Sequence, residues 1–473
     1  MSIQALDISL TGLDAAQTGL DSVSENLANA NTAGYIAQSA DLGTLPGGPG
    51  PVGSGVEVEG ITLNNNPALT MLAQATASQA GQASALSQAL QSAEAVFTDF
   101  PSSATSGSSS TGNGLQSSLS TFWSDWATVA NSPGSLAARD SLVGSAQTVV
   151  DTLHSMSSAL ASAAQGTQDQ LSQLVAQVNG QLSQLASLNE QVLAVSGTGG
   201  GGANALVEQQ ISLANTLASE IGATNTTATT GSMTLSVGGV TLVSAGSAAT
   251  LSVSGTGTAT TISASGGPLS ATTAVPVSSG QAAGLLQAVT ATLPSWQSTL
   301  DNVAQTLAST VNSQLEAGVY WAPLGSSSAT SSPGVAMFQA SGGGTVTAGD
   351  IELNPTITAD PATIAAGAST ASGPLDGSNA QAVSGLASSP SGADSLYRAL
   401  VGEAGSAAQS AQASASVTSA AASAASAQAS AAEGVNSNAQ LTMLLQYQQM
   451  YEAAGKVIGT AASMFSSLLS AVP

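Results

Sequence analysis

The chain has 473 residues, long enough for several domains and a sizeable buried core. Only 6% of them are charged, against about 25% in an average globular protein, and 26 acidic residues face 3 basic ones for a net charge of −23. Nucleic acid and anionic lipid are both held by clustered Lys and Arg, so this balance excludes nucleic acid and a membrane surface as partners.

Other classes fall on the same reading. The chain has no Cys, so disulfides and thiolate chemistry are out. No unbroken run of about 20 strongly apolar residues is present, so no membrane span is expected. The first ten residues, MSIQALDISL, hold Asp7 and no Lys or Arg, which is unlike a cleavable secretory signal.

Residues 3–28 carry leucines at intervals of seven: Leu6, Leu13, Leu20 and Leu27. Ile3 and Leu10 occupy the second seam position, which then becomes Gln17 and Ser24. This spacing predicts an amphipathic helix. The segment NANTAG predicts its stop, since Asn and Gly accept left-handed geometry, and Tyr35 follows as an aromatic anchor.

A strand is expected at VEVEGI, with Glu57 and Glu59 on one face, and then a helix through Leu72, Leu86, Leu90 and Phe97. A Ser/Gly loop is expected at 102–114. Helix is expected over 115–165, broken at Pro133-Gly134, then over 167–195 and 204–221. The period then changes to two, with Met233, Leu235 and Val237 alternating and Gly238-Gly239 marking a hairpin, so 229–277 reads as a small antiparallel β unit. Helix returns at 281–317, a loop-rich stretch with a weaker strand at DIELNP follows, and 394–432 reads as an Ala/Ser-rich helix.

The far end repeats the heptad of the first helix. Leu444, Tyr451, Ile458, Phe465 and Val472 recur at sevens, with Tyr447, Ala454, Ala461 and Leu468 between them. Two heptad helices at opposite ends are expected to pair with each other or with other subunits. The fold class expected is mainly α with small inserted β domains. Its domains are nested and discontinuous: a coiled-coil-like terminal domain from 1–60 and 433–473, a helical middle from 61–228 and 281–432 with a loop- and β-rich segment near 320–390, and a β insertion at 229–280. The assembly interface expected from the seams is Ile3, Leu6, Leu10, Leu13, Leu20, Leu27, Tyr35, Leu444, Tyr447, Tyr451, Ile458, Phe465 and Leu468.

Residues for catalysis are scarce. His154 is the sole His, so no multi-histidine metal site can form, and it reads as a helix-surface or packing residue. No GxSxG-type elbow presents a Ser. The Gly run at 199–202 follows a helix and has no Lys, so it is no phosphate loop. Glu57 and Glu59 read as solvated surface, and Arg139 as a surface or ion-pair residue. No metal or cofactor is expected, and the chain reads as a non-enzyme.

The ends carry a resemblance. GLDAAQTGLDSVSENLANANTAGY and GVNSNAQLTMLLQYQQMYEAAGKVIGTAASMFSSLL resemble the terminal signatures of bacterial flagellar rod, hook and hook-associated proteins. Between them, SPGSLAARDSL, LNEQVLAV, NALVEQQISLANTLASEIG, SGQAAGLLQAVTATLPSWQSTLDNVAQTLASTVN and IELNPTITADPATIAAG resemble, in that order, the hook-associated proteins of the hook–filament junction. The resemblance fails in the charges: Ile36-Ala37, Thr62 with Asn64–Asn66, and Ser437-Asn438-Ala439 stand where the family has ionic side chains.

It implies a structural subunit of the bacterial flagellum, outside the cell, exported without a cleavable signal through the type III channel. Implied partners are further copies of itself, the hook protein, a neighbouring hook-associated protein and an export chaperone at the C-terminal region. Other readings are a different axial protein, a secreted β-rich adhesin or a secreted glycan hydrolase. The charge depletion fits an acidic medium or a compositional bias toward Ala, Gly and Ser.

Overall fold

The computed structural model describes the chain except residues 1–2, 33, 47–52, 98–113, 197–202, 229, 325–327, 372 and 471–473. The Ser/Gly loop expected at 102–114 therefore lies almost wholly outside the described residues.

Helix α1 (Ile3–Ala28) follows the first heptad. It ends in a turn whose Gly34 takes φ +79°, the left-handed geometry that Gly permits. Strands β1 (Gln38–Thr44) and β2 (Val56–Leu63) pair antiparallel, with Glu57 and Glu59 exposed together. Helix α2 (Pro67–Glu94) is capped by Asn66, which accepts from the Leu69 N–H at 3.4 Å, and Pro67 needs no partner for a missing N–H; the helix ends short of Phe97, which the sequence reading includes.

Helices α3 (Leu115–Asn131) and α4 (Leu136–Ser196) flank the break at Pro133-Gly134. The further break expected near Gly166 does not occur; α4 runs unbroken for 61 residues. A helical Gly costs about 1 kcal/mol, and the buried stripe continuing from Leu160 through Leu171 and Val178 outweighs it.

Helix α5 (Ala203–Ile221) leads into β3 (Thr224–Thr227), β4 (Met233–Val237), β5 (Val240–Ser244) and β6 (Ser247–Ala248), a sheet in that order. Strands β7 (Thr250–Ser254), β8 (Thr261–Ser265) and β9 (Thr273–Ala274) form another. Gly238 and Gly239 turn the β4–β5 hairpin at φ +54° and +83°, as a two-residue turn of this hand requires.

Helices α6 (Gln281–Gln287) and α7 (Leu293–Ala317) are joined by a π turn over Ala288–Thr292, just ahead of Pro294. The loop-rich stretch holds two small hairpins, β10 (Val319–Ala322) with β11 (Thr330–Pro333) and β12 (Phe338–Ala340) with β13 (Ile351–Leu353). Short helices α8 (Pro355–Ala359) and α9 (Ser378–Gly385) precede the long α10 (Ala393–Glu433) and α11 (Ser437–Ser470).

Two cores organise these elements. One gathers Phe122 and Trp126 of α3, Leu142 and Leu153 of α4, Trp296 and Leu300 of α7, Phe338 and Tyr397. The other packs Leu171, Val178 and Leu185 of α4 against Leu217 of α5 and against Met233, Leu235, Leu242, Leu251 and Ile262 of the sheets. The β unit is therefore seated on the second half of α4. A freely projecting insertion would leave that stripe exposed to water, which its apolar side chains disfavour.

The joints between helices and strands are made by amides. Asn179 donates to the Leu251 carbonyl at 2.9 Å and accepts from the Leu251 N–H at 2.7 Å. Asn189 does the same to Met233, at 2.8 Å both ways, and also holds the Gln210 side chain and the Ala245 carbonyl. Asn312 repeats the pairing with Phe338, at 2.7 and 3.0 Å. Arg139 corrects the sequence reading in the same spirit. It is 2% exposed and donates to the carbonyls of Pro133, Pro361, Ala362 and Ile364 rather than lying on the surface. Burial lowers its pKa to about 10, against the opposing charge of Asp360, so it stays cationic at neutral pH.

Asn189→Ala would leave a buried N–H and a buried carbonyl of Met233 without partners. Each such group costs about 1–3 kcal/mol, so the urea midpoint should fall clearly. A change within about 0.5 kcal/mol would show that the joint carries no stability.

Candidate functional site

The two chain ends lie together. Gly19 of α1 lies directly against the Tyr447 ring of α11, and Asn26 Nδ2 donates to Gln440 Oε1 at 3.3 Å. The later position on α1 meets the earlier one on α11, so the two helices run antiparallel. A lone helix of this length is marginal in water, and each end supplies the other's contacts.

The seam on α11 keeps only part of the expected heptad, since Tyr451 and Phe465 lie outside it. Gln440 is buried, and Leu444, Tyr447, Ala454, Ile458 and Ala461 are half-buried on one stripe. On α1 the seam differs from the leucine stripe. Its buried positions are Ser9, Ala15, Ala16, Gly19, Ser22, Val23 and Asn26. The reason is steric: a helix carrying Tyr447 can approach closely only where its neighbour is small. The leucines are displaced outward, with Leu6 40%, Leu10 60% and Leu27 39% exposed and Leu13 and Leu20 half-buried. On α11 Tyr451 and Phe465 also point outward, at 42% and 66%, beside Leu445 at 57% and Met464 at 47%. The side chains of Ile3 and Leu468 lie outside the described residues. The paired ends thus have an inner seam, and several large apolar side chains remain exposed outside it.

Asn26 is the node of this region. Its Nδ2 donates to the Gln38 carbonyl at 2.7 Å, and its Oδ1 accepts from the Gln38 N–H at 2.8 Å and from the Tyr35 hydroxyl at 3.0 Å. Asn26, still within α1, is fully buried, whereas Asn29 and Asn31 of the helix stop lie in the turn. Tyr35 is the anchor expected. Burial, helped by Glu25 and Glu208, pushes its hydroxyl up to about 12, so it remains a donor across ordinary pH.

A second node fastens the long helices to the same place. The Ala37 N–H donates to the Glu433 carbonyl at 2.8 Å, and Asn64 Nδ2 to the Ala432 carbonyl at 3.0 Å. The Glu433 carboxylate accepts from the Asn66 N–H at 2.9 Å and from the Thr70 hydroxyl at 3.0 Å. A cavity of about 450 Å³ opens beside it, lined by Asn29, Tyr35, Asn215 and Glu433 among others. Sequence reasoning missed Asn26, Gln38, Asn64, Asn66, Glu433 and Gln440. Only Asn66 had a visible signal, as an Asn-Pro helix start.

The residues weighed for chemistry stay apart. His154 is half-buried in α4 with its Nε2 unpartnered, and Glu57 and Glu59 lie on the exposed face of the β1–β2 hairpin. Among the described residues no group of three or more His, Cys, Asp or Glu converges as a metal site, and no helix is long and apolar enough to cross a membrane.

Comparison with known proteins bears on both the ends and the middle. Residues 106–325 match the family model for the flagellar hook-associated protein FlgK helical domain. Residues 6–35 match the flagella basal body rod protein model, and residues 427–471 the flagellar basal body rod FlgEFG protein C-terminal model. Together these matches support a FlgK-type hook-associated protein. Flagellar hook-associated protein 1 of Salmonella typhimurium is 26% identical over 204 residues, which is 42% of this chain and 35% of that protein. The Bacillus subtilis counterpart is 27% identical over 186 residues, covering 37% and 35%. The chain thus aligns with about a third of the length of these FlgK-type relatives. The structure of the flagellar hook junction protein FlgK from Burkholderia pseudomallei is 17% identical and superposes with a TM-score of 0.59, over 75% of this chain and 98% of that one. At that identity the likeness is one of fold: mainly helical, with small antiparallel sheets inserted.

Gly19→Leu should open the helix pair, because any side chain there collides with the Tyr447 ring. Gly12→Ala is the control, since its Cβ would meet nothing within 4 Å. Limited proteolysis should release fragments from α1 and α11 in the first variant and none in the second. Equal resistance would contradict the seam.

Proposed function

We propose that this chain is a structural subunit of the flagellum that joins hook to filament. It assembles helically through its terminal helices and performs no catalysis. The observation that carries this reading is the set of large apolar side chains left exposed on the two terminal helices. Leu6, Leu10, Leu27, Leu445, Met464 and Phe465 stand exposed along the paired ends of the chain. Large apolar side chains left exposed in this number are the material of a protein interface. Neighbouring copies, the hook protein and an adjoining hook-associated protein would cover it, outside the cell. The domain division proposed keeps 1–60 with 433–473 as the axial part. In the same reading, export proceeds through the type III channel without a cleavable signal, with a chaperone on the C-terminal region.

The family matches at both ends and in the middle support the junction over the adhesin and the hydrolase. Cells lacking the protein should carry hooks without filaments in electron micrographs. Filamented cells would refute the reading.

Leu10→Asp and Phe465→Asp test the surface. Both side chains are more than half exposed, so monomer stability should change by no more than about 0.5 kcal/mol. A carboxylate buried at an interface without a partner costs several kcal/mol, so incorporation and motility should be lost. Normal motility with the secreted variants would rule out these side chains as an assembly surface.

A further inference from the structure

Helix α5 runs between the terminal helices and the central helical body, and a carboxyl with one buried oxygen, on half-buried Glu208 and on buried Glu220, lies toward each of its ends. Near its start, Asn204 Nδ2 donates to the Ile61 carbonyl at 2.8 Å, and the Ile36 N–H and Gln38 side chain face Glu208 as donors. Glu208 Oε1 is buried and has no hydrogen-bond partner. Near its end, Glu220 is 5% exposed. Its Oε1 accepts from Gln177 Nε2 at 2.6 Å and from Gln181 Nε2 at 3.2 Å, both on α4, while its Oε2 is buried without a partner. Between them Gln210 is tied to Asn189 at 2.8 Å. All of these donors are neutral amides.

We propose that α5 is a strut whose two ends are fastened more tightly in an acidic medium, holding the terminal helices to the central helical body best below neutral pH. An ionised carboxylate offers about four acceptor sites and is costly to bury half-satisfied. At both ends of α5 one oxygen is stranded in this way, and among the described residues no cation offsets the charge. At Glu208 the facing titratable groups are Glu25 from α1 and Tyr35 from the loop after it; Glu25 adds repulsion. At Glu220 the groups reaching in from α4 are the two Gln, and no charged group among the described residues contributes. Burial is the leading cause that raises both carboxyls above their ordinary range, against the amide donors. A carboxyl raised in the folded state binds its proton more tightly there than in the unfolded chain. Its ionisation thus costs stability at neutral pH, and that loss is recovered as pH falls through the folded value. Acid would weaken an ion pair at either place, and it strengthens these.

Hydrogen exchange on the full chain at pH 7.5 and pH 4.5, corrected for the intrinsic exchange rate, reads the two joints directly. Protection of 203–221 and of 36–38 should rise at pH 4.5 by at least about threefold, a change that local opening reports. The double variant E208Q/E220Q keeps the shape without the charge and should show the higher protection at both pH values. E25Q should raise protection at 36–38 at pH 7.5 and leave the Glu220 end alone. Equal or lower wild-type protection at pH 4.5 would overturn the proposal. So would a double variant that responds to pH as the wild type does, since the effect would then belong to the other carboxylates.

Discussion

One interaction recurs at four places where a helix of this protein meets extended chain. An Asn side chain on the helix pairs with the N–H and the carbonyl of a single residue, as a neighbouring strand would. Asn26 does this to Gln38, Asn179 to Leu251, Asn189 to Met233 and Asn312 to Phe338. The buried backbone must find partners somewhere. With 3 basic residues in 473, ion pairs cannot supply them, and the amide takes their place. Such a joint carries no charge, so salt does not screen it and acid does not neutralise it. Even Arg139 is used in this way, as a multiple donor to carbonyls.

The same economy shapes the ends. Glycine and alanine on α1 let α11 come close, which leaves the leucines of α1 facing the other way. A helix with leucine on both faces would collapse onto its own partner; small residues on the inner face keep the outer leucines free for another. Glu433, Asn64 and Ala37 then hold the base of the long α10 against the same loop. The polarity of the inner seam sets register as well, because Asn26 and Gln440 meet at one alignment only.

Much of the fold was legible from pattern alone. The limits of α1 and α10, the break at Pro133-Gly134 and the turn at Gly238-Gly239 follow from periodicity and from the backbone freedom of Gly and Pro. The inner face of α1 was not legible, because a hydrophobic count weights Leu20 and ignores Gly19, while close packing does the reverse. Asn26, Asn179 and Asn189 were also invisible: in a helix, Asn reads as solvent surface unless the strand it will pair with is known. Gly166 misled in the opposite direction, since its local cost is small beside the continuous stripe of α4.

The central claim is that neutral amides, and Asn26 above all, hold the chain ends to the body. Asn26→Asp tests it most directly. At pH 7 the carboxylate keeps the acceptor but loses the donor to the Gln38 carbonyl, and near pH 3 protonation returns an O–H in its place. The account predicts that α1 and α11 become open to protease in this variant at pH 7 and are protected again near pH 3, judged with an acid-active protease against the wild type at each pH. Protection equal to the wild type at pH 7 would contradict it.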